Sequence, residues 1–279
     1  MEQKFTTVIV PKTGLFDFHL KELVKYRDLI FLFVRRNFVS QYKQTILGPA
    51  WALIQPLLTT VVFTVVFGRL AGLAPGGVPS FLFFMSGNIA WGYFSGCLTA
   101  TANTFTGNAA IFGKVYFPRL VSPISTVLTN LISFGIQFLL FIVFLAIYWV
   151  RGAVQPNLYA LMLPLLMVQM AMLSLGVGII ISSLTTKYRD LKMLVSFGVQ
   201  LWMYGTPVAY DIGIVPEKFM GLYMLNPMTP IINFFRKAFL GLGSFEMPYY
   251  LISWGVTLAV LFIGLMMFNK VEKTFMDTV

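Results

Sequence analysis

Residues 121–150, VSPISTVLTNLISFGIQFLLFIVFLAIYWV, run for thirty residues without one charged side chain. As a helix this stretch would be about 45 Å long, and the hydrocarbon core of a bilayer is about 30 Å thick. A water-soluble helix needs a continuous polar face, and here only scattered Ser, Thr, Asn and Gln interrupt the apolar residues. Similar runs occupy roughly 47–68, 81–104, 158–182, 193–211 and 249–268. With 58% hydrophobic and 11% charged residues, against about 25% charged in a soluble domain, the chain reads as an all-α integral membrane protein with six transmembrane helices. Helices follow because lipid offers no partner to an unpaired backbone group. Residues 1–46 form an N-terminal region, 47–268 the membrane domain and 269–279 a tail. Within the membrane domain, 212–247 contains Pro216, Pro227 and Pro230 and no run of spanning length. It reads as short re-entrant or interfacial helices between the fifth and sixth spans.

Lysine and arginine set the orientation. Fifteen fall in the N-terminal region, alternate loops and the tail, including Lys114, Arg119, Lys187 and Arg189; five fall on the opposite side. The positive-inside bias places both termini in the cytoplasm. The net charge of +10 is then explained by loop bias and anionic lipid, and no nucleic-acid partner is expected. Since the first apolar run follows a charged region, no cleavable signal peptide is expected.

Several activities lack their residues. GNAAIFGKVYFPR, 107–119, imitates a phosphate-binding loop, but five residues separate Gly107 from Gly113 and Val115 follows Lys114. Such a loop needs four residues there and a Ser or Thr hydroxyl for Mg²⁺. None of the ten acids falls near the middle of an expected span, where an ion-coupled carrier commonly keeps a carboxylate. His19 and Cys97 are each alone, which leaves no His-rich metal site and no intrachain disulfide. Neither paired carboxylates nor a nucleophilic triad is present for a membrane-embedded glycosyl- or acyltransferase. If the chain transports something, its energy comes from another chain; a secondary carrier or channel is the alternative.

Before the first span, residues 21–43 place Lys21, Lys25, Asp28, Arg35, Arg36 and Lys43 in one arc of a helix and mostly apolar residues elsewhere. This pattern predicts an amphipathic helix lying in the membrane interface, with Arg35, Arg36, Tyr42 and Lys43 at the headgroups.

SQYKQTILGPAW at 40–51, KVYFPR at 114–119, YRD at 188–190 and LNPMTPIINFFR at 225–236 resemble the permease subunits of ABC exporters for polysaccharides, which move O-antigens, capsules and teichoic acids. Thr45 and Ala50 depart from the residues usual in that family. The resemblance implies a bacterial cytoplasmic-membrane homodimer of six-span subunits. Two copies of a separate ATPase would supply ATP and Mg²⁺ chemistry, so this chain would bind no cofactor itself. A polysaccharide, lipid-linked in this reading, would pass between the two permeases.

The resemblance also implies roles for individual residues. Lys114, Tyr116, Phe117, Pro118 and Arg119 would dock on the ATPase, with Tyr116 and Phe117 as anchors in a partner pocket. An aromatic belt at the interface is the other reading of those two rings. Arg189 and Asp190 would take part in the same coupling, or form a solvated turn. Asn226, Pro227, Pro230 and Arg236 would build an external gate; the alternative for Arg236 is a snorkelling side chain. Tyr42, Trp51 and Trp91 are candidates for the polymer path, because sugar C–H faces stack on aromatic rings. Gly92 and Gly96 form a small-xxx-small pair suited to close helix approach.

Overall fold

The computed structural model describes residues 20–43, 45–115, 117–188, 190–243 and 246–278. Tyr116 and Arg189 therefore lie outside the described residues. No strand occurs among those described. Helices α1 (Leu20–Lys25) and α2 (Arg27–Tyr42) come first, then α3 (Trp51–Phe63), which continues as a π-helical segment over Thr64–Leu70. The remaining elements are α4 (Ser80–Ala102), α5 (Thr104–Phe112), α6 (Val121–Val150), α7 (Leu163–Thr185), α8 (Leu191–Tyr204), α9 (Glu217–Leu225), α10 (Met228–Leu240) and α11 (Met247–Thr278).

Four segments have both the length and the apolarity to cross a bilayer: Gly48–Leu70, Val121–Val150, Leu158–Thr185 and Met247–Val271. Helix α4 is long enough, with 23 residues or about 35 Å. It is less apolar because protein surrounds it: 15 of its residues are buried, and it packs on α3, α6, α7, α8 and α10. Its polar residues Ser86, Thr101 and Asn88 meet helices rather than lipid. The fifth expected span is shorter than 193–211 suggested. Helix α8 has 14 residues, about 21 Å, and turns occupy 205–210. Pro207 accounts for the stop, since it lacks an N–H and disfavours helix at the preceding residue.

The closest helix contacts are built on other glycines than Gly92 and Gly96. A Cβ on Gly176 would lie 2.8 Å from backbone atoms of Leu261, and one on Gly264 would lie 2.7 Å from the Gly176 carbonyl oxygen. These two residues let α7 and α11 touch backbone to backbone. Gly178 does the same between α7 and α4, where an added Cβ would meet the Leu98 carbonyl oxygen at 2.9 Å.

Two cores result. The larger surrounds α4 and includes Trp91, Phe94, Phe141, Leu166, Phe235 and Phe239. The smaller gathers Leu23, Phe33, Phe105, Phe112, Phe117, Ile179 and Phe268. It ties α1 and α2 to the α5–α6 connection, the far part of α7 and the end of α11.

Of the short helices expected in 212–247, α10 is enclosed by the protein. Twelve of its 13 residues are buried, among α4, α7, α9 and α11. Gly241 ends it in the left-handed region at φ 73°, a conformation costly for other residues. Asn157 satisfies two of its last carbonyls: its Nδ2 donates to Lys237 O at 2.8 Å and its backbone N–H to Ala238 O at 3.1 Å.

Candidate functional site

Tyr42, Trp51 and Trp91, three rings distant in sequence, line one cavity of about 520 Å³. Helix α2 delivers Tyr42 at its last residue, α3 begins with Trp51, and α4 presents Trp91. Tyr42 is fixed by a long hydroxyl contact of 3.5 Å with Ser133 Oγ on α6. Trp91 is largely buried, edge-on to Trp202 at 6.3 Å, whereas Trp51 is 43% exposed. Reaching Ser133 requires α2 to run beside α6, so α2 is more than a helix laid on the interface. Arg35, Arg36 and Lys43 are exposed as expected, and Arg36 lies over the Phe33 ring at 4.3 Å. Phe31, Leu32 and Val39 are also exposed.

The rest of the wall is uncharged and mixes apolar side chains, among them Phe134, Val199 and Met203, with polar ones. Gln41, Gln55, Asn88, Asn130 and Gln137 bring amides, and Thr59, Ser95, Thr99 and Ser196 bring hydroxyls. The sequence reading missed these amides, yet a signal exists. An amide inside an apolar run is costly against lipid, so Gln55, Asn88, Asn130 and Gln137 had to face protein or a cavity. Gly92 and Gly96 belong to this wall as well. A Cβ at Gly92 would meet only Gln137 Oε1, at 3.9 Å, while at Gly96 it would meet Asn130 Oδ1 at 2.8 Å. Gly92 therefore leaves room in the cavity and Gly96 admits the Asn130 side chain, and neither draws two backbones together.

The residues expected to dock a partner divide. Lys114 is exposed. Phe117 is 6% exposed and packs edge-on against Phe33 at 5.6 Å and against Phe112 at 5.7 Å. It has no surface to offer as an anchor in a partner's pocket, nor a place in a lipid-facing belt. Its contacts join the α5–α6 connection to α2. Pro118 is buried too, and Arg119 stands over the Phe112 ring at 5.6 Å. Asp190 is exposed and accepts the Leu191 N–H at 3.1 Å, capping α8.

At the other end of the molecule the expected gate residues are internal ties. Asn226 accepts from Trp202 Nε1 at 2.9 Å and from the Met228 N–H at 3.2 Å, and donates to Gly205 O and Thr206 Oγ1. Pro227 O accepts from Ser253 Oγ at 2.7 Å, which in turn receives Gln169 Nε2 at 2.8 Å. Pro230 is buried in α10. Arg236 is 3% exposed, so it neither snorkels nor reaches water. Its guanidinium donates to Pro207 O at 2.6 Å, Val208 O at 2.8 Å and Tyr210 O at 3.3 Å, and stacks on Phe83 at 3.6 Å.

A wide uncharged cavity among long apolar helices suits a membrane transporter, and comparison with known proteins identifies which kind. Residues 28–240 match the family model for ABC-2 type transporters. This chain belongs to the ABC-2 type transporter family. The O-antigen export system permease protein RfbA of Klebsiella pneumoniae is 30% identical over 253 residues, covering 90% of this chain and 94% of that protein. An RfbA of Myxococcus xanthus is 28% identical over 79% of the chain and 83% of its own length. The polysialic acid transport protein KpsM of Escherichia coli is 22% identical over 87% and 93%. As a member of this ABC-2 family, the chain is a permease subunit rather than an enzyme, built of helices that cross the membrane.

Proposed function

We propose that this chain is the membrane-spanning subunit of an ATP-driven exporter that carries a polysaccharide, lipid-linked as in O-antigen assembly, across the bacterial inner membrane. The observation carrying this is the cavity, where Tyr42, Trp51 and Trp91 supply flat rings among amides and hydroxyls. Rings accept sugar C–H faces and amides accept hydroxyls, so a chain of sugars is held weakly at many points and can slide. The O-antigen and polysialic acid exporters among its relatives support the same substrate class.

Energy in this reading comes from two copies of a partner ATPase that binds the ATP and Mg²⁺, and the path forms between two copies of this chain. Both termini are cytoplasmic. Lys114, Tyr116, Arg119, Arg189 and Asp190 belong, in this reading, to the coupling contact with the ATPase. The geometry suggests how a push would travel: Phe117 bears on Phe33 of α2, and α2 ends in Tyr42 on the cavity wall. Movement of the 113–120 connection would thus reposition one wall of the path.

Export by the complete complex tests this. Gly92→Leu adds bulk where only Gln137 Oε1 lies within 4 Å, so it should fill the cavity and leave the fold intact. The expected result is loss of polymer export with unchanged permease abundance and unchanged recovery of the ATPase. Normal export by that variant would remove the cavity from the path, and export that survives ATP depletion would favour a secondary carrier.

A further inference from the structure

We propose that the cavity selects an uncharged glycan and discriminates against polyanionic polymers. This rests on reading the cavity as the transport path. The chain has 20 basic and 10 acidic residues, and among the described residues none of them lines the cavity. Lys43 follows the wall residue Tyr42 directly, yet it is exposed and not part of the wall. The polar groups the wall offers are amides and hydroxyls, set among rings and aliphatic side chains.

Three of the amides are available. Gln41, Gln55 and Gln137 line the cavity, and their side-chain amides make no hydrogen bond to the chain among the described residues. A primary amide presents two donors and an acceptor, and a sugar hydroxyl is both donor and acceptor. The match is to neutral hydroxyls. Carboxylates and phosphates are recognised by guanidinium or ammonium groups, which make charge-assisted and bidentate bonds. Without such groups, an anionic polymer would have to keep its water and counter-ions or enter unpaired beside Trp51, Trp91 and Phe134, and an unpaired charge is strongly disfavoured there. The neutral chain loses far less on entry.

The test uses the permease–ATPase complex in lipid nanodiscs and two probes of matched length: a neutral galactose or mannose oligosaccharide, and oligosialic acid. Binding is followed by calorimetry at low and high salt, with Trp51→Ala and Gln55→Arg beside the native chain. The proposal expects the neutral probe to bind at least about tenfold tighter at high salt, to be weakened by Trp51→Ala, and to be indifferent to salt. Oligosialic acid held only at low salt and unaffected by Trp51→Ala is surface binding to a basic protein, and agrees with the proposal. Gln55→Arg should give the anionic probe salt-resistant binding in the cavity. Equal or tighter cavity binding of oligosialic acid by the native chain, with both probes weakened by Trp51→Ala, would overturn the selectivity and leave the path standing. Neutral binding insensitive to both Trp51→Ala and Gly92→Leu, or no neutral binding at millimolar concentration, would overturn path and selectivity together.

Discussion

Arg236 shows what a single residue does in this protein. A guanidinium enclosed by helices is stable only if its donors are met, and here backbone carbonyls meet them: Pro207, Val208 and Tyr210 each accept. Among the described residues no carboxylate forms an ion pair with it. Replacing it by Met keeps the length and strands those carbonyls. At about 1–3 kcal/mol for each unsatisfied buried group, Arg236→Met should destabilise the fold by about 3 kcal/mol or more, read as a lower midpoint of thermal unfolding in detergent. Arg236→Lys should recover only part of the loss, because an ammonium is a point charge and cannot fork to three acceptors. Gly87 belongs to the same clamp. A Cβ there would lie 2.8 Å from Arg236 Nη2 and 2.9 Å from Val208 O, and the second is backbone that cannot swing aside. Gly87→Ala should cost about 1–3 kcal/mol, and its effect should shrink in the Arg236→Met background, since the two disturb one contact. Additive losses in the double variant would separate the residues.

Among the elements, α2 and the connection before α6 behave as one piece. Phe33 and Phe117 sit together in the smaller core with Phe112, Phe105 and Phe268. Truncating either ring to Ala should cost about 3 kcal/mol. The pair should couple by about 0.5–1.5 kcal/mol beyond their separate burial, as edge-on rings do. Lys114→Ala, exposed on the same connection, should stay within about 0.5 kcal/mol. Hydrogen exchange over residues 27–42 measures this directly: Phe117→Ala should speed exchange in α2, and Lys114→Ala should not. Unchanged exchange in Phe117→Ala would show that α2 is held by other contacts. For the proposed complex with an ATPase, Phe117→Ala should weaken the link between nucleotide and cavity while ATPase recovery stays near normal, because the ring is buried against Phe33.

At the scale of the whole molecule, the ends of the helices sort into two groups. Phe33, Phe117, Ile179 and Phe268 meet at one end. At the other, Asn157 meets the end of α10, and Phe234 stacks on Tyr250 at 5.4 Å. In the proposed orientation, set by positive-inside bias, the first group would lie on the cytoplasmic side. A membrane-impermeant thiol reagent checks this in a Cys97→Ser background. Cysteine at exposed position 187 should label only from inside, and cysteine at exposed position 218 from outside. The reverse pattern would invert the topology and move the 113–120 connection away from any cytoplasmic ATPase. Cys97 is buried, so its own replacement should leave labelling unchanged.

The sequence alone determined the class of fold, because a thirty-residue stretch without charge permits only a helix in lipid. It also offered Tyr42, Trp51 and Trp91 as candidate sugar-stacking rings, though not that they share one wall, and it marked 212–247 as irregular through its prolines. What it left open were the neighbours of each side chain. Local pattern shows that Arg236 is a cation in an apolar run, but not that three carbonyls of a turn 26 to 29 positions earlier would surround it. It shows Phe117 as an aromatic in a short connection, but whether that ring faces a partner or Phe33 depends on where α2 packs. Gly92 and Gly96 obey the spacing of a close-contact motif, yet the close contacts are made at Gly176, Gly178 and Gly264. Spacing fixes which residues share a helix face; only packing fixes what that face meets. The free amides of the cavity wall are the clearest case, since their cost in lipid is written in the sequence and their convergence on one cavity exists only in the folded chain.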